Sequence, residues 1–105
     1  MPTPFQQRVY SATRQIPAGK VMSYGQLARI IGCGSAQAVG QALRRNPYAP
    51  VVPCHRVVSA DGNLGGFMGQ RGGEQLLRKR LLLTSEGITF DAEGHVNPQH
   101  FVKTS

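Results

Sequence analysis

The 105 residues predict a single α+β domain, mainly helical, with a small β element. Three observations carry that expectation. Three segments place apolar residues at helical spacing directly behind a Ser or Thr able to cap them. Valine pairs and glycine-rich turns follow, as in short strands. The length suits one buried core and not two. Cys33 and Cys54 are too few for a disulfide framework, and with His55, His95 and His100 they make no zinc-finger spacing.

The first helix begins at Thr3-Pro4-Phe5-Gln6. Thr3 is the N-cap, Pro4 stands where its missing N–H is harmless, and Gln6 can reach back. Phe5, Val9, Ala12 and Ile16 follow at helical spacing, and Pro17-Ala18-Gly19 stops the run. Ser23-Tyr24-Gly25-Gln26 is a second capping-box pattern, with Leu27, Ala28, Ile30 and Ile31 as its apolar stripe. Gly32-Cys33-Gly34 is a tight turn. Ser35 caps a third helix from Ala36 to about Arg45, with Val39 and Leu43 facing inward. Two short helices about a glycine turn, the second ending in Arg44-Arg45, form a helix-turn-helix pattern at about 23–45.

Ala36, Ala38, Gly40 and Ala42 leave much of the third helix without side chains. Two readings stand: close packing against another helix, or close approach to DNA, including its narrow minor groove. Val51-Val52 and Val57-Val58 read as short apolar strands or extended segments around Pro53-Cys54-His55-Arg56. The turn Ala60-Asp61-Gly62-Asn63 and the flexible Gly65-Gly66 make a loop at about 59–70 that resembles a wing. A last helix is expected from about Gly73 to Ser85, with Leu76, Leu77 and Leu81 on one face. Ile88–Phe90 and His95–Val96 read as a small hairpin. The whole predicts a winged-helix-like DNA-binding domain over residues 1–105, with a small β wing or hairpin.

Charge agrees. Residues 1–60 carry Arg8, Arg14, Lys20, Arg29, Arg44, Arg45 and Arg56 and no acid, while residues 61–105 balance, so the net +7 lies in the first part. A one-signed segment implies a polyanionic partner. No run approaches the roughly 18 apolar residues of a membrane helix, and no signal-peptide pattern opens the chain. The expectation is a soluble monomer in a reducing compartment, cytoplasmic (with the nucleoid in a bacterium, nuclear in a eukaryote), with no membrane partner.

Cys54 is the strongest candidate for chemistry. A thiolate is a strong soft nucleophile, and a free thiol needs positive charge, a helix N-terminus or a base to form it. His55 and Arg56 are adjacent in sequence. In an extended segment His55 would point away from Cys54, so a water between them, with a carboxylate fixing the ring, is the expected arrangement. Glu86 is the leading carboxylate. The alternative is that a cysteine between valines is a small buried hydrophobe. Cys33 has no chemical context.

Pro53-Cys54-His55-Arg56-Val57 resembles the active-site motif of the O6-alkylguanine-DNA alkyltransferases, repair proteins that move an alkyl group from guanine to their own cysteine. Ser23-Tyr24-Gly25-Gln26-Leu27-Ala28 resembles the family's first helix-turn-helix segment. Ala38-Val39-Gly40-Gln41-Ala42-Leu43 resembles its recognition helix. Asn46-Pro47 and Ser85-Glu86-Gly87 fall where the family has its counterparts. The resemblance implies that Cys54 accepts the alkyl group, that His55 deprotonates it through water, and that Glu86 holds His55. It implies that Tyr24 presses on the phosphate of the damaged nucleotide, and that Gln37, Ala38, Gly40, Arg44, Arg45 and Arg56 meet DNA. Asn46 would be a hinge, and Leu43, Val57, Phe67 and Met68 would line the alkylguanine pocket. The carbonyls of Cys54 and Val57 would receive the guanine amine. The partner implied is double-stranded DNA bearing O6-alkylguanine, with no cofactor and no metal.

The sequence departs from the family in two places. Gln37 stands where the family usually has an arginine, and Met68 where many members have serine. The length and the C-terminal part resemble the alkyltransferase-like proteins, which recognise alkylguanine, have tryptophan in place of the cysteine, and call in nucleotide excision repair proteins. Three functions follow: a single-turnover alkyltransferase of the methylated-DNA–protein-cysteine type, a non-catalytic lesion sensor, and a winged-helix regulator. The near absence of base-reading side chains on the third helix disfavours the regulator.

Overall fold

A computed structural model describes residues 3–48, 51–64 and 74–103, with 74–76 described by backbone alone. Among the described residues the elements run α1 (Pro4–Thr13), β1 (Met22–Ser23), α2 (Tyr24–Ile30), α3 (Ala36–Arg44), β2 (Val57–Val58) and α4 (Glu74–Ser85). Cys54–Arg56 and Pro98–His100 are 3-10 turns.

The capping signals do what their chemistry requires. Thr3 Oγ1 accepts the Gln6 N–H at 3.1 Å, and Gln6 Oε1 accepts the Thr3 N–H at 2.9 Å. Ser23 and Gln26 repeat the exchange at 3.0 and 2.9 Å. Ser35 Oγ accepts the Ala38 N–H at 3.1 Å. Gly32 turns the chain between α2 and α3 at φ +73°, a conformation that costs a residue with a Cβ. The three helices close over Val9, Tyr10, Leu27, Val39 and Leu43. The Tyr10 hydroxyl, donating to the Ala42 carbonyl at 2.8 Å, pins α1 to α3. Gly40 and Ala42 are buried, so close packing accounts for much of the bare surface of α3.

β1 and β2 pair in parallel, Met22 opposite Val57 and Ser23 opposite Val58. That pairing sets the turn preceding β2 beside the start of α2. Val21, Val58, Leu64, Leu83, Ile88 and Val96 form a second cluster beneath it.

Several expectations are corrected. Val51-Val52 is a turn: the Val52 N–H donates to the Tyr48 carbonyl at 3.0 Å, and its own carbonyl accepts the Cys54 N–H at 2.9 Å. Pro53 has no N–H for a ladder. Cys54–Arg56 is therefore helical rather than extended. The expected apolar face of α4 is rotated. Leu83 and Lys79 are buried, whereas Leu77 and Leu81 are exposed. The small hairpin is present as a single antiparallel bridge, Phe90 with Val96. The Asp91 carboxylate folds its tip by accepting the N–H groups of Glu93 and His95 at 2.9 and 3.0 Å. The wing expectation is described only as far as Leu64; Gly65-Gly66, Phe67 and Met68 lie outside the described residues.

Candidate active site

The site grows from one tight turn. Pro53 leads in, the Arg56 N–H donates to the Pro53 carbonyl at 2.9 Å, and the Val57 N–H closes on the Cys54 carbonyl. β2 then holds the turn against β1. Cys54 is half-buried and packs against the cluster that contains Tyr24, Leu43 and Val57. The residue is thus neither sealed in the core nor on an open surface.

His55 points inward and is 8% exposed. Its Nε2 lies 3.0 Å from Glu86 Oε2, at the end of α4. Arg56 closes on the same carboxylate. Nε donates to Oε1 at 2.9 Å, Nη2 to Oε2 at 2.7 Å, and Nη1 to the Ile16 carbonyl at 2.8 Å. The turn after α1 rests on this group: a Cβ on Gly19 would stand 3.3 Å from the Glu86 carbonyl oxygen. Burial, the largest single influence, pushes the Glu86 carboxyl up. The hydrogen bonds from Arg56 and His55, with the charge of Arg56, together outweigh it, and the carboxyl sits below its ordinary range. Glu86 is therefore an anion with both oxygens occupied.

Tyr10, Tyr24 and Lys79 share the field of Cys54. Tyr24 is 1% exposed, and burial first, then the nearby Cys54, raises its hydroxyl well above the ordinary value. Lys79 is 7% exposed and donates to the Val57 carbonyl at 2.9 Å and the Leu64 carbonyl at 3.4 Å. Burial lowers it to about 8, with Cys54 acting in the opposite direction. Lys79 is not among the residues that the sequence motifs single out, yet the signal is there. Leu76, Lys79 and Leu83 stand at helical i, i+3, i+7 spacing, so one charge in the Arg78-Lys79-Arg80 run has to share a face with leucines.

The fold brings Cys54, His55 and Glu86 into one place. Leu43 and Val57 are buried beneath Cys54. Asn46 links the end of α3 to the segment leading into the Cys54 turn, donating from Nδ2 to the Val52 carbonyl at 3.0 Å and accepting the Tyr48 N–H at 2.8 Å. Gln37, Arg44 and Arg45 are exposed and Ala38 is half-buried. Three placements differ from expectation. Tyr24 is turned into the core, because it begins α2 on the same face as Leu27 and Ala28. Gly40 is buried and is not on the outer face of α3. Arg56 is spent on Glu86 and Ile16 rather than directed outward.

Among the described residues no three of His, Cys, Asp and Glu come together as metal ligands. An open cleft of about 510 Å³ lies between α1 and Tyr48, Val51 and Val52, with Tyr10 and Arg14 on the α1 side. It does not include Cys54.

Residues 4–88 match the family model described as the 6-O-methylguanine DNA methyltransferase, DNA binding domain. The methylated-DNA–protein-cysteine methyltransferase of Salmonella typhimurium is 52% identical over 86 residues, 81% of this chain and 47% of the relative. The Mycobacterium tuberculosis OGT, solved in complex with DNA, superposes with a TM-score of 0.70 at 50% identity, covering 80% of this chain and 50% of that one. The Schizosaccharomyces pombe Atl1, solved with damaged DNA containing O6-carboxymethylguanine, gives 0.78 at 30% identity over 95% of both chains. The chain spans about half the length of the curated relatives it matches. On the match over residues 4–88, it belongs to the family of the 6-O-methylguanine DNA methyltransferase DNA-binding domain.

Proposed function

We propose that the chain is a DNA repair protein that turns an O6-alkylguanine out of duplex DNA and takes the alkyl group onto Cys54, once per molecule. The observation that carries this reading is Cys54 on a half-buried turn whose next residue, His55, is held by Glu86. With Nε2–H donated to Glu86, Nδ1 is left as a proton acceptor. A water on Nδ1 relays the thiol proton. The thiolate then attacks the alkyl carbon, an S–C bond forms, and the C–O6 bond breaks. The electron pair leaves with guanine, which takes up a proton. The products are an S-alkylcysteine and an unmodified guanine, and no cofactor enters the balance.

Eversion is required because O6 lies on the major-groove edge of a paired base, out of reach of a protein in the minor groove. The outer face of α3, with Gln37, Gln41, Arg44 and Arg45 exposed, is the surface for the backbone and the vacated base stack. Asn46 acts as the hinge between that surface and the reactive turn. Tyr24, Leu43 and Val57 form the inner wall beneath Cys54.

The test is the mass of the protein after incubation with duplex DNA carrying O6-methylguanine. One added methyl, mapped to the peptide with Cys54 and absent in Cys54→Ala, is the expected result. No adduct would remove the transfer reading.

A second reading is favoured by one observation: Atl1, solved with damaged DNA containing O6-carboxymethylguanine, superposes with a TM-score of 0.78, above the 0.70 of the Mycobacterium tuberculosis OGT. On that reading the chain is a lesion sensor that binds alkylguanine unchanged and presents it to nucleotide excision repair proteins. Equal lesion affinity in the native chain and Cys54→Ala, with no mass change, is its signature.

A further inference from the structure

Arg56 does more than fill space beside the site. A buried imidazole 3.0 Å from a bare carboxylate gains a proton, because the opposite charge stabilises the imidazolium. An imidazolium cannot accept the thiol proton. Arg56 changes this balance in two ways. Its fork occupies both oxygens of Glu86, at 2.9 and 2.7 Å, so the carboxylate's charge is already neutralised where it meets His55. The third bond, from Nη1 to the Ile16 carbonyl at 2.8 Å, ties the guanidinium to the chain just past α1 and stops it rotating away.

We propose that Arg56 is a positioning residue: by gripping both oxygens of Glu86, it keeps His55 neutral and fixes Nε2 as the nitrogen that carries the proton. This rests on the reading that His55 serves Cys54. A neutral His55 in this set leaves one carboxylate against one guanidinium. A protonated His55 would add an uncompensated positive charge in a place 8% exposed. The surrounding charged groups act in the same direction. Lys79 on α4 is buried and cationic below about pH 8. Lys20, in the turn after α1, is exposed. Tyr24 on α2, raised by its burial, stays neutral at physiological pH. Cys54 is the group whose proton is moved. A lysine at position 56 would keep the charge but lose the planar fork.

The experiment uses the full chain with 15N-labelled histidine, compared with Arg56→Gln and Arg56→Lys, His55 being assigned by its own substitution. NMR reads the His55 tautomer and titration. Iodoacetamide, with peptide mapping to separate Cys54 from Cys33, reads thiol reactivity against pH. In Arg56→Gln the His55 midpoint is expected to rise by about one pH unit or more, as for an unneutralised neighbouring carboxylate. The acid limb of Cys54 alkylation moves with it. Arg56→Lys is expected to keep the native midpoint but populate both tautomers. A merely structural arginine would lower the amount of folded protein and leave midpoint and tautomer as they are. That result in folded Arg56→Gln overturns the proposal. Should Arg56→Gln not fold, a native tautomer pattern in Arg56→Lys overturns it instead. None of these readouts involves DNA. A chain that shows them but gains no methyl from alkylated DNA refutes the transfer reading and leaves the role of Arg56 standing.

Discussion

The outer face of α3 and the turn at Cys54 are built in opposite ways. The helix face is assembled from neighbours in sequence: Ser35 caps it, and Gln37, Gln41 and Arg44 recur at i, i+4, i+7 along one exposed stripe. The Cys54 turn is assembled across the chain. His55 and Arg56 reach Glu86 some 30 residues on, Arg56 reaches Ile16 40 residues back, and Lys79 reaches Val57 from 22 residues away. Side chains on the first surface act singly, in water, and are screened by salt. Those in the second share atoms, so removing one strands the others. The surface is tunable and the turn is not.

The largest effect should come from breaking the shared carboxylate. Glu86→Ala leaves a buried imidazole and a mostly buried guanidinium without their acceptor. A loss of about 3 kcal/mol is expected, read as a lower denaturation midpoint. A loss under a third of that would show that the two regions are not so different.

The next test is alkaline. Lys79 has a folded value of about 8 against an ordinary 10.5, so between these values the unfolded chain binds the additional proton. Stability should therefore rise with pH in that window, by about 2 kcal/mol from pH 8 to 10. Below about 8 both states hold the proton and the contribution is flat. Above about 10 the raised Tyr24 and Tyr10 oppose it, since the folded state then keeps protons that the unfolded one has lost. Urea titrations across that range check the slope, and Lys79→Met should remove it.

Smaller still is the local cap. Ser35→Ala removes the acceptor of the Ala38 N–H and should cost about 1 kcal/mol. A larger loss would mean that α3 depends on its start as heavily as the Cys54 turn depends on Glu86.

The smallest stability effect belongs to Arg44→Ala and Arg45→Ala, expected within about 0.5 kcal/mol of the native chain. Their signature is elsewhere. Each DNA phosphate that the variant no longer neutralises should flatten the slope of log K against log salt by roughly 0.9. A slope unchanged in both variants would move the DNA surface away from the end of α3.

The split between local and distant assembly also explains what is legible in the chain alone. Three helix starts are legible because each depends on a Ser or Thr and a residue three places on. The fork of Arg56 is not: a basic side chain in an acid-free stretch suggests DNA, and only the fold supplies Glu86 and Ile16 as partners. Tyr24 reads as facing the nucleic acid, and its burial follows from α2 packing on α1 and α3. Val51-Val52 matches a strand by composition, but Asn46 and Tyr48 claim its polar groups for a turn.

By itself, the sequence determined where helices begin, which segment bears Cys54, and that positive charge gathers in the first 60 residues. Those are short-range properties of capping, spacing and composition. Tertiary structure alone decided which side chains are buried together around Cys54, and hence that Lys79 and Arg56 belong to its surroundings. The reason is physical: desolvation and a shared carboxylate exist only once α4 and the turn after α1 have closed over β2.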